Sequence, residues 1–180
     1  MKRVLFSMVL LMSVSFSFAQ MKSVKEAKNA ASSSSPDLNR AEQLINEALK
    51  NPESKDNPET WNVAGLIQKR MSDEEGKKAL LKQPFDTLKQ FNCVLKMFEY
   101  FSKCDELAEI PNEKGKVKNK YRKANVSTLM NERSNLINGG VFHFNKNQNK
   151  EALSFFSTYV ESASYPMLAE RNLAQTDTLL

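Results

Sequence analysis

Six prolines govern how this chain can fold, because each falls between stretches of helical periodicity and none falls inside one. They are Pro36, Pro52, Pro58, Pro84, Pro111 and Pro166. A proline has no amide hydrogen to give a helix interior, so it does least harm at a helix start or in a joint. Ser35-Pro36-Asp37 and Asn57-Pro58-Glu59 read as helix starts. Each offers a capping side chain, then proline at the first helical position, then an acid suited to the positive end of the helix dipole.

Seven helical stretches follow from this segmentation. Ser23 to Ala31 is short. Asp37 to Asn51 carries Leu38, Ala41, Leu44, Ile45, Ala48 and Leu49, a stripe at spacings of three and four. Pro58 to about Lys82 opens with Trp61, Ala64, Gly65 and Leu66, then turns polar at Ser72 to Gly76, which leaves open one long helix or two short ones. Pro84 to about Leu107 is the most apolar. Phe85, Leu88, Phe91, Val94, Leu95, Phe98, Phe101 and Cys104 draw one wide face, which predicts a central helix. Asn119 to Asn145 carries Tyr121, Leu129, Leu136, Ile137, Gly140, Val141 and Phe144. Lys150 to Ser162 carries Ala152, Leu153, Phe155, Phe156, Tyr159 and Val160. A last stretch opens near Pro166 and ends in Leu179-Leu180, which is short and apolar where a repeat array ends in a polar cap, and predicts either the front part of a longer array or a last helix packed on a partner. No segment alternates apolar and polar residues for long enough to be a strand, so the class is all-α. Polar joints at Ala31–Ser35, Glu53–Asn57 and Asn112–Lys118 predict exposed turns and a series of antiparallel hairpins.

The amino terminus reads as an export signal. Met1-Lys2-Arg3 is basic, Val4 to Phe18 is an uncharged and mostly apolar run, and Ser17-Phe18-Ala19 places small residues before Gln20. That run is shorter than the roughly 20 residues a spanning helix needs. The expected division is therefore a signal peptide over 1–19 and one helical domain over 20–180, with no transmembrane helix in the mature chain. Lys2 and Arg3 supply two of the five net positive charges, which weakens any argument from charge for a nucleic-acid partner.

Small residues recur where helices would have to cross. Gly140 is followed one turn later by an aromatic, and twelve residues beyond the glycine stands Ala152, with Phe156 four further on. Upstream, Ala41 and Ala48 are spaced as two small positions of one helix, and Pro58 opens a stretch bearing Trp61 and Gly65. This pattern resembles the tetratricopeptide repeat, a helix-turn-helix unit of about 34 residues. Gly140 matches the small position of the repeat's first helix, Ala152 and Phe156 the small and aromatic positions of its second, and Pro166 lies near its closing proline. Leu136 stands where tryptophan is usual and Tyr159 where alanine is usual. Lys77 occupies the small position of the upstream unit, so the stretch through Phe101 reads as an elongated, atypical second helix.

The resemblance implies a short all-α solenoid similar to exported repeat proteins of Gram-negative bacteria, in or facing the periplasm. It further implies a scaffold that binds a protein or peptide on a concave face lined by the first helix of each unit. Carried over, the groove positions are Asn62, Leu66, Lys69 and Arg70 upstream, and Ile137, Val141, Phe144 and Asn145 downstream. The alternative is a helical envelope-assembly or carbohydrate-handling component that uses the repeats as scaffold, possible association with the outer membrane being common to both.

Candidate chemistry is sparse, and neither an enzyme nor a cofactor is expected. Cys93 and Cys104 lie eleven residues apart in one predicted helix. That places them roughly 16 Å apart, beyond the roughly 7 Å a disulfide allows, and points to core thiols. His143, the only histidine, sits between Phe142 and Phe144 and reads as a filler of an aromatic slot. It leaves no pair of histidines for a metal. Gly76-Lys77 and Gly115-Lys116 lack the rest of a phosphate loop. Glu74-Glu75 is expected in an exposed joint. The basic run Lys114, Lys116, Lys118, Lys120, Arg122 and Lys123 has only Tyr121 to stack on bases, so a solvated loop is expected there, with attraction to an acidic protein, lipopolysaccharide phosphate or an anionic lipid next. Basic residues oppose the dipole at a helix start, which predicts fraying of its first turn.

Overall fold

The computed structural model describes residues 21–179, so the expected export segment lies outside the described residues. Those residues are all-helical and contain no strand. The elements are α1 (residues 21–32), α2 (Leu38–Lys50), α3 (Pro58–Leu80), α4 (Thr87–Ala108), α5 (Arg122–Phe144) and α6 (Asn149–Ser162), followed by a 3-10 turn at Pro166–Arg171 and a short α7 (Leu173–Thr176). From α2 to α6 each helix packs chiefly on its neighbours in the chain, most extensively α3 on α4 and α5 on α6.

Local chemistry explains the boundaries. Asn57 caps α3 by accepting the Glu59 amide at 2.9 Å, with Pro58 at the first helical position. At α2 the expected frame shifts: Asp37 is itself the cap, accepting from the Arg40 amide at 3.0 Å, and the helix starts after Pro36. Of the two possibilities for residues 58–82, one unbroken helix is found. Its polar stretch continues the buried stripe, because Met71, Ser72 and Glu75 lie at helical spacing on the inward face.

Two hydrophobic clusters share one wall. The first gathers Val24 and Ala27 of α1, Ala41, Ile45 and Ala48 of α2, and Val63, Ala64 and Ile67 of α3, and it reaches Cys93 and Tyr100 of α4. The second gathers Val94, Met97, Phe98 and Phe101 from α4, Val126, Leu129 and Leu136 from α5, Phe155 and Tyr159 from α6, and Leu168 and Leu173 from the last segment. The central helix expected from its wide apolar face is therefore α4, which starts at Thr87 and not at Pro84. Phe85 precedes the helix and Leu88 lies in its first turn, and both are about half exposed. Asp86 caps the helix instead, accepting from the Lys89 amide at 2.9 Å.

Glycines mark the closest approaches. A methyl group added to Gly65 would lie 2.3 Å from the ring of Phe101, which is wholly buried. The same addition would meet Phe155 at 2.5 Å from Gly139 and Phe156 at 2.4 Å from Gly140. Ala152 is also buried. The small residues of α3 and α5 thus lie where the next helix presses an aromatic side chain. The upstream hairpin is lengthened in its first helix, since Lys77 still belongs to α3, and the partner of Gly65 comes from the separate helix α4.

Alanine is worth up to about 1 kcal/mol over glycine inside an exposed helix, whereas overpacking a filled core costs about 1–3 kcal/mol. Gly65→Ala is therefore expected to lower the urea midpoint. Gly140→Ala is expected to cost less, because Phe156 is only half buried and can swing outward. A Gly65→Ala protein as stable as the parent would show that α3 and α4 are not in close contact.

Candidate functional site

The residues expected on a binding face do not form one patch. On α3, Leu66 is 40% exposed, and with Lys69 and Arg70 it lines a depression of about 420 Å³ whose other side is formed by Lys28, Ala31 and Ser32 of α1. Lys69 is held by Asp73 at 2.6 Å and Arg70 by Glu74 at 3.8 Å, so the rim carries paired charges. Asn62 is half buried and does not line this depression. On α5, Val141 and Phe144 are 46% and 62% exposed, and Asn145 follows the helix end in the open. Ile137 behaves differently: it packs against the second core and lines a groove of about 560 Å³ with Met130, Leu173 and Leu179. Neither depression contains residues from both helices' sets.

That second groove has a buried cation at its floor. Arg133 falls on the same inward stripe as Leu129 and Leu136, one turn from each, and its side chain is 7% exposed. Its guanidinium donates to Ser162 Oγ at 3.0 Å, to the Tyr159 carbonyl at 3.0 Å and to Asp177, and it stacks over the Tyr159 ring at 3.8 Å. Asp177 also accepts from the Tyr159 hydroxyl at 2.5 Å. These bonds, that from Tyr159 foremost, hold its carboxyl at about 2, well below its usual range, against the opposing effect of burial. Leu173 and this carboxylate thus hold the last segment against α5, while Leu179 stays largely exposed.

A second buried charge occupies what was expected to be an exposed joint. Glu75 is 2% exposed. It accepts the Asp86 amide at 3.0 Å and the ammonium groups of Lys78 and Lys89 at 2.9 and 3.3 Å. The Asp86 amide contributes most to keeping its pKa near 2. Both charged residues could have been found in the sequence, because each continues an apolar stripe at helical spacing.

The remaining candidates are fixed in place by packing. Cys93 and Cys104 are free thiols in the core, and burial pushes them up to about 11 and about 12, which makes both poor nucleophiles. His143 stacks on Phe155 at 5.3 Å and meets Phe142 edge-on, with Nδ1 2.8 Å from the Gln148 side-chain oxygen, as expected for a filled aromatic slot. Trp61 donates its indole N–H to the Lys55 carbonyl at 2.5 Å and packs edge-to-face with Tyr100. The α5 start does not lack for partners: Asn119 Oδ1 accepts the Tyr121 and Arg122 amides, and Arg122 is clamped on Asp105. Among the described residues no group of three or more histidine, cysteine, aspartate or glutamate side chains could hold a metal, and no helix is long and apolar enough to cross a membrane. Compared with family models, curated proteins and solved structures, the chain matches none.

Carboxylates held low in the folded state stabilise it above their unfolded pKa and lose that effect as they are protonated. For Glu75 the window runs from 4.5 down to about 2, and for Asp177 from 3.8 down to about 2. The thermal midpoint should be level above about pH 5 and fall through that window. Glu75→Gln and Asp177→Asn should each lower the midpoint at neutral pH and flatten the acid limb. A parent-like acid limb in both variants would show that these carboxylates are not engaged in the fold.

Proposed function

We propose that this chain is a non-enzymatic interaction module of the bacterial cell envelope, built as a short tetratricopeptide-like stack, which binds a protein or peptide on the exposed faces of α3 and α5. The observation that carries this reading is the depression between α1 and α3. Its wall presents Leu66, Lys69 and Arg70, three of the four positions that the repeat pattern assigns to a groove. An apolar floor with a rim of paired charges suits an extended segment or a helix, with Leu66 as a modest apolar anchor. The glycine-aromatic seams at Gly65 and Gly140 support the repeat-like stacking, and the amino-terminal pattern supports export.

Physical reasons weigh against the rivals. A glycan platform needs an aromatic face free to stack, and the single tryptophan spends its N–H and one ring contact within the fold. Nucleophilic chemistry needs an activated group, and both thiols are buried with raised pKa values.

A photo-crosslinking residue placed at Leu66 or Phe144 should capture one and the same protein from envelope extract, and the same residue at the exposed Leu153 of α6 should not. Capture from Leu153 alone, or from none of the three, would overturn the assignment of the face. Phe144→Ala should weaken capture severalfold and move the thermal midpoint by no more than about 2 °C, as for a side chain outside the core. A larger loss of stability would mean that Phe144 belongs to the packing.

A further inference from the structure

We propose that the loop joining α4 to α5 is a foot that docks the protein on an anionic lipid surface, an interaction independent of the binding face on α3 and α5. The loop and the turn after it carry Lys114, Lys116, Lys118, Lys120 and Lys123, all exposed, against two carboxylates, Glu113 and the Glu109 already paired with Arg122. None of these lysines has an ion-pair partner among the described residues, and Lys120 lies 5.0 Å over the Tyr121 ring.

The acids that could have balanced them are already engaged. Arg122 grips Asp105 through two bonds of 2.7 Å and reaches Glu109 at 3.0 Å. Asn119 donates to the same two carboxylates at 2.7 and 3.0 Å. This clamp uses up the local negative charge at the base of the loop and leaves the positive charge at its tip.

The tip has a defined shape. The Asn112 side chain accepts the amides of Lys114 and Lys116 at 2.9 and 3.1 Å. The Asn112 amide donates to the Lys116 carbonyl at 3.0 Å and that of Gly115 to the Asn112 carbonyl at 2.7 Å, while Gly115 takes a φ of 68°, which a side chain would disfavour. Residues 112–116 therefore form a closed turn that needs little further ordering on contact with a surface. On the two arms, each within two residues of the closing bond, stand Ile110 and Val117, 63% and 46% exposed.

Lysines alone would suit any polyanion. Exposed aliphatic side chains beside them narrow the choice, because at a bilayer the ammonium groups meet lipid phosphates while Ile110 and Val117 enter the interfacial region. Single-stranded nucleic acid would call for free aromatic platforms, and Tyr121 is half buried and covered by Lys120.

The test is co-sedimentation of the protein with vesicles of phosphatidylcholine, alone or with roughly a third phosphatidylglycerol, at about 0.1 M and about 0.5 M salt. Binding is expected to the anionic vesicles only, and to fall at the higher salt. Each lysine near such a surface multiplies partition about fivefold, so Lys114→Ser, Lys116→Ser and Lys118→Ser together should cost on the order of a hundredfold. Ile110→Ser with Val117→Ser should cost about tenfold at unchanged charge. The helical circular dichroism of both variants should match the parent, because none of these side chains is in the core. Four results would overturn the proposal: no binding to anionic vesicles, undiminished binding by the triple lysine variant, undiminished binding by the Ile110 and Val117 variant, or tighter binding to a single-stranded RNA oligomer than to the vesicles.

Discussion

The rest of the structure depends on α4 being buried on both sides. One face gives Cys93 and Tyr100 to the first core, and the other gives Val94, Met97, Phe98 and Phe101 to the second. A helix can serve two cores only if its neighbours come close, and the absence of a side chain at Gly65 lets α3 lie against the ring of Phe101. The second hairpin repeats the device, with Gly139 and Gly140 receiving Phe155 and Phe156. Dispersion across such seams is lost steeply with distance, so tightness at two or three glycines controls how well the whole wall packs.

Buried and half-buried charges then tie the successive layers together. Glu42 of α2 pairs with Lys96 of α4 at 3.2 Å, Glu75 of α3 with Lys89 of α4, Asp105 of α4 with Arg122 of α5, and Arg133 of α5 with Asp177 of the last segment. A partly buried ion pair adds little net stability against a well-packed apolar pair, but losing one partner is costly. Their effect is therefore greatest on register: each pair favours one placement of a helix against the next. Outside the seams lie further charges, among them the paired ones on the rim of the α1–α3 depression and the lysines of the α4–α5 loop.

Much of this could be read in advance, and the exceptions have physical causes. The all-α class, the hairpin series and the central position of residues 87–108 follow from periodicity and from the prolines. The apolar pattern runs past the start of α4 because Phe85 extends it into the loop before Asp86, which supplies the cap. On α5, Arg133 and His143 occupy inward positions of the stripe, and a search for apolar residues passes over them. Glu75 was assigned to solvent for the same reason. Of the expected groove positions, three on α3 share one depression, whereas Ile137 lines a different groove whose other side is formed by Leu173 and Asp177, some forty residues along the chain. Long-range contacts of that kind leave no trace in local spacing.

The shared wall is best tested by equilibrium urea unfolding followed simultaneously by Trp61 fluorescence and by helical circular dichroism. Trp61 is the single tryptophan and packs against the first core, whereas the dichroism reports helices of both. If α4 couples the two cores, the curves coincide and share one midpoint. A fluorescence transition clearly separated from the loss of helix would contradict the shared wall, because the first core would then come apart while α4 remained folded against α5 and α6.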